Sequence, residues 1–193
     1  MQVDLTCFPQ DALRCGVEAA IRGASASSSL SLPSSTRLAQ GARATLDGCY
    51  EETSAYFQSI LELAWLVSSA DGFAEEERHA LALLLENVTG KVVSHDVLAS
   101  HFRDLAQGCE MLGRRERLRR AAEDFADGAS RSEALGFATL VALADGRLTD
   151  PEQEALMDLG GFFGFSRDQV DHVIQDAVDR LRAELQNRYR SEA

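Results

Sequence analysis

Apolar positions along this chain recur three and four residues apart, a spacing that predicts helices. Within residues 8 to 22, Leu13, Val17, Ala20 and Ile21 fall on one face of a short amphipathic helix. Phe57, Ile60, Leu61, Ala64, Leu66 and Val67 form the broad apolar face of a long helix running from Tyr50 to near Ala70. Leu81, Leu84, Leu85 and Val88 mark a second, stopped by Gly90. Ser94 suits the N-cap of a third, with Val97, Leu98, Phe102 and Leu105 inward. Gly108 and Gly113 bracket a break, and an Arg-rich helix follows to about Ala126. Leu135, Ala138, Leu140, Val141 and Ala144 mark a core helix, then Leu156, Leu159, Phe162 and Phe163 another. Val170, Val173, Ile174, Ala177, Val178, Leu181 and Leu185 mark a long final one.

The polar residues between these stripes place the helix starts. Ser130 with Glu133, Thr149 with Glu152, and Ser166 with Gln169 each have capping-box spacing. In such a box the hydroxyl caps an orphan amide and the later side chain reaches back. Nowhere do β-branched and aromatic residues alternate over a useful stretch, so the expected fold is all-α. The Ser-rich run within residues 23–36 reads as a flexible linker. The expected organisation is an N-terminal amphipathic segment at 1–22, that linker, and a helical domain at 37–193. A tethered helix of this kind either folds back onto the bundle or docks into a protein partner through residues 8–22.

The helical domain contains a repeat. Leu63-Ala64-Trp65-Leu66-Val67-Ser68-Ser69-Ala70-Asp71-Gly72 parallels Phe137-Ala138-Thr139-Leu140-Val141-Ala142-Leu143-Ala144-Asp145-Gly146. Each is an apolar helix ending in Ala-Asp-Gly, then a short turn, then an acidic helix start with Glu77 or Glu152. The self-similarity suggests two helix hairpins related by an approximate twofold. Glycine ends a helix in the left-handed region without strain, and acids favour the next helix N-terminus.

Capping alone accounts for those residues. A second reading also fits. From Asp145 to Glu152 the sequence matches the second half of an EF-hand loop, with Asp145, Gly146, Leu148 and Glu152 at the fifth, sixth, eighth and twelfth positions. Val141 and Leu143 stand at the first and third ligand positions, which excludes a full EF-hand. In the first copy the glutamate falls one residue early, at Glu77, and Arg78 takes the ligand position. That spacing predicts a weaker first site.

On these residues, from about Tyr56 to Leu185, the chain resembles the TerB-like family, named for a tellurite-resistance protein. The resemblance implies a compact bundle of about seven helices with a pseudo-twofold axis. It also implies a divalent-metal site of Asp71, Glu77, Asp145 and Glu152, with Glu76, Asp150 and Glu154 as neighbours. The cofactor is then Ca2+ or Mg2+, bound weakly, and the context a stress-response or defence assembly.

Composition narrows the function classes. The 193 residues carry a formal net charge of −12, all of the excess acidity lying beyond Tyr50. Such a surface repels nucleic acid and anionic lipid and suits cations or basic partners. The one basic cluster, Arg114, Arg115, Arg117, Arg119 and Arg120, reads as a solvated helix face paired with Glu116 and Glu123. No interleaved aromatics support base stacking. Cys7, Cys15, Cys49 and Cys109 lack zinc-finger or redox spacing, which predicts reduced thiols. With no secretory signal and no apolar stretch long enough to span a bilayer, the expected location is the cytoplasm. No nucleophile motif, phosphate loop or zinc helix is present. The expected function is a non-enzymatic interaction or scaffold module. The alternative from another class is a metal-dependent hydrolase with an acidic site, although no base or nucleophile can be named for it.

Overall fold

The structure, a computed structural model, describes residues 3–26, 51–89 and 95–191. Among them are eight helices: α1 (Gln10–Ala26), α2 (Glu51–Ser68), α3 (Glu75–Thr89), α4 (His95–Leu112), α5 (Arg114–Ala122), α6 (Gly128–Ala142), α7 (Asp150–Phe162) and α8 (Arg167–Ser191). Two-residue strands β1 (Val3–Asp4) and β2 (Arg147–Leu148) pair antiparallel, Val3 opposite Leu148 and Asp4 opposite Arg147. The all-α bundle expected from the periodicity is therefore the fold, with one short bridge added. Residues 27–50, Gly90 and Ser94, which bear on the linker and on two helix boundaries, lie outside the described residues.

Helices α2 and α6 make the most extensive contact in the bundle. Their later stretches, residues 60–67 and 134–142, are mostly apolar and buried, the mark of helix segments enclosed by neighbours. Leu63, Ala64, Leu66, Val67, Leu135, Ala138, Leu140 and Val141 are buried there. Each central helix also touches the second helix of the other hairpin, α2 against α7 and α3 against α6. That reciprocity is what a twofold relation between the repeats requires. Helix α8 covers α6, α1 and α7, while α5 bridges α2, α7 and α4.

Several boundaries follow local chemistry. Thr149 and Glu152 form the full capping box of α7, with Pro151 in its first turn. The Ser166 amide donates to Gln169 Oε1 at 2.8 Å, and the Gln169 amide to Ser166 Oγ at 3.3 Å. At the other end of α7, the Phe165 amide donates to the Gly160 carbonyl and the Gly164 amide to the Gly161 carbonyl. With Gly164 at φ +79° this is a Schellman stop. The third expected box is corrected: Asp127 caps α6, its carboxylate accepting from the Ser130 amide, so the helix starts earlier than a Ser130 cap implies. The break is also narrower than expected. α4 runs through Gly108 and stops at Gly113, φ +81°. A Cβ on Gly108 would sit 3.3 Å from the Arg117 guanidinium, so the glycine gives α5 room rather than ending a helix.

Of the two outcomes left open for the N-terminal segment, the structure shows the fold-back onto the bundle. Val3, Leu5, Leu13, Val17, Ala20 and Ile21 all belong to the core, and α1 packs against α8, α3 and α6. The Leu5 amide donates to the Gly146 carbonyl at 2.7 Å. A Cβ on Gly146 would stand 2.9 Å from Leu13 Cδ1, and a Cβ on Gly16 2.9 Å from Leu185 Cδ2. Both glycines mark close crossings of this segment with the bundle. The apolar stripe is thus spent inside its own domain and is not free to dock into a partner. Gly146 combines φ +92° with that close approach, whereas Gly72, at φ +139°, has open space around its Cβ position. Gly146→Ala is therefore expected to cost about 2–3 kcal/mol, clearly more than Gly72→Ala. Paired urea denaturations of the two variants check this, and equal costs would refute the packing of Leu13 on Gly146.

Candidate acidic site

Each Ala-Asp-Gly turn lets the chain reverse two residues after its helix ends, at Ser68 and at Ala142. Each reversal starts a helix whose third residue is a glutamate that reaches back to cap its own N-terminus. Glu77 Oε2 accepts the Ala74 amide at 2.7 Å. Glu152 Oε2 accepts the Thr149 amide at 2.8 Å and the Thr149 hydroxyl at 2.9 Å. The two glutamates therefore occupy equivalent capping places, although they stand at different distances from their glycines. Their equivalence is set by distance from the helix start, not from the glycine. The extra residue in the second turn is taken up by β2. Arg78 is not a substitute ligand: it pairs with Glu75 at 3.2 Å and lies 4.9 Å over the Phe73 ring.

Both glutamates are buried, Glu77 at 3% and Glu152 at 2% exposure. Their side chains hydrogen-bond to each other across the joint between the repeats. Two carboxylates cannot do this, so the pair shares a proton. Burial pushes the Glu77 carboxyl well above the ordinary range; donation of its proton to Glu152 and the charges of Glu152 and Asp145 push it further. Glu152 is also raised, by burial, although the bonds it accepts from Glu77 and Thr149 oppose the shift. The two carboxyls titrate as a unit whose proton is held above the ordinary glutamate range by burial and mutual repulsion.

The aspartates stand around this pair. Asp145 is half-buried, and its Oδ1 accepts the Arg147 amide at 2.8 Å. Burial raises its carboxyl, with Asp71 and Glu76 adding repulsion and Arg147 countering. Asp71 is exposed, within electrostatic reach of both Asp145 and Glu152. All four residues named from the sequence are thus brought together, with Glu76 beside them. Asp150 and Glu154 are not part of this cluster; they are exposed and line a separate groove with Met157 and Phe165. No family model, curated protein or solved structure matches the chain.

The donor set fits a hard divalent cation in kind: carboxylate oxygens only, with mutual repulsion that a positive charge relieves. Among the described residues no three Asp, Glu, His or Cys side chains surround one point in ligating geometry.

The Arg-rich helix departs from the simple solvated face. Arg119 and Arg120 pair with Glu116, and Arg119 also with Glu123, as the spacing predicts. The other three reach neighbouring helices. Arg114 donates to the Leu66 carbonyl and to the carbonyl and hydroxyl of Ser69, closing the end of α2. Arg117 pairs with half-buried Glu62, and Arg115 with Asp158 at 3.0 Å. These contacts join α5 to α2 and α7, which no intrahelical pattern could reveal. Cys7, Cys15 and Cys109 are free thiols. No described helix is long and apolar enough to cross a membrane.

Proposed function

We propose that the protein is a non-enzymatic interaction module of the TerB-like kind, whose joint between the two repeats takes up a divalent cation weakly. The supporting observation is the meeting of Glu77 and Glu152, one from each repeat, buried and in contact, with Asp71 and Asp145 beside them. Helix capping explains why each glutamate is present. It does not explain why both are turned to the same interior point, where burial of two acids opposes folding. Glu77 and Glu152, with Asp71 and Asp145, would hold Ca2+ or Mg2+. A bound cation supplies the positive charge the joint lacks and ties the two hairpins together, so its level sets how firmly the module holds one shape. The stress-response or defence setting comes from the family resemblance, and the cytoplasmic location from the cysteine spacing and the lack of a secretory pattern in the sequence. The non-enzymatic reading rests on a sequence without nucleophile motif or phosphate loop.

Calorimetry of the full chain with calcium and with magnesium tests the reading. Binding is expected at about 10⁻⁴ to 10⁻³ M. Because the two glutamates are equivalent, Glu77→Gln and Glu152→Gln should each abolish the heat, and Asp71→Asn should weaken it less. A flat titration of the wild type at millimolar cation would sink the cation reading and leave the four acids as helix caps.

A further inference from the structure

We draw no further inference here: the strongest candidate, the exposed Met111–Leu112 corner between α4 and α5, is an unpartnered apolar patch, and nothing in the structure shows what covers it.

Discussion

A chain beginning at residue 27 is expected to lose its cooperative unfolding transition. The first 26 residues supply Val3, Leu5, Leu13, Val17, Ala20 and Ile21 to the core, none more than 5% exposed. Removing five large buried side chains at about 2 kcal/mol each withdraws on the order of 10 kcal/mol. That is comparable with the whole stability of an ordinary domain, about 5–15 kcal/mol. The deletion also uncovers Leu148, Leu181 and Leu185, and takes from Gly146 the amide that its carbonyl accepts. Leu13→Ala is the milder version, with an expected loss of about 2–5 kcal/mol. Differential scanning calorimetry reads both: a broad, low-enthalpy trace for the deletion, and a Tm lowered by roughly 10 °C for Leu13→Ala. A truncated chain that still unfolds sharply near the wild-type temperature would restore the tethered-peptide organisation.

Chelator-treated protein is expected to become less stable as the pH rises from 5 to 8, opposite to most acidic proteins. The Glu77–Glu152 pair keeps a proton in the folded state that an unfolded glutamate releases near its ordinary value of 4.5. The folded state therefore binds more protons than the unfolded one. The stabilisation is fully present below pH 4.5 and is lost as the pH climbs toward the raised folded value. One retained proton gives a slope of up to about 1.4 kcal/mol per pH unit, so about 2–3 kcal/mol separates pH 6 from pH 8. Glu77→Gln should flatten this slope and be more stable than the wild type at pH 8. Its amide donates to Glu152 without needing a proton, and its carbonyl still accepts the Ala74 amide. Chemical denaturation at a series of pH values, with and without the substitution, decides it. A wild-type slope that Glu77→Gln leaves unchanged would show that the two carboxyls do not share a proton.

The all-α class, the order of the helices after residue 50 and most of their ends were legible because they are local properties. Apolar spacing sets a helix face, Thr149 and Ser166 cap their own helices, and Gly164 stops one by its own backbone. The four acids were legible for the same reason: the repeat is visible as repeated letters. Their relative standing was not. Counting from the glycine made Glu77 look displaced by one residue; the helix start decides where a capping glutamate lies, and a β-bridge absorbed the difference. That both carboxyls turn to one buried point depends on how the hairpins pack, which no residue encodes alone.

The N-terminal helix shows the same division most sharply. The sequence established its amphipathic stripe but left open which surface would cover it, because a hydrophobic face is non-directional and pairs equally well with any apolar groove. Shape decided the matter. Gly16 and Gly146 remove the side chains that would hold Leu185 and Leu13 away, and the segment closes over the second Ala-Asp-Gly turn, whereas among the described residues nothing comes within 4 Å of the Cβ position at Gly72 in the first. Two turns alike in sequence are therefore unlike in the fold, since the covering of one and not the other is a property of close packing between distant parts of the chain.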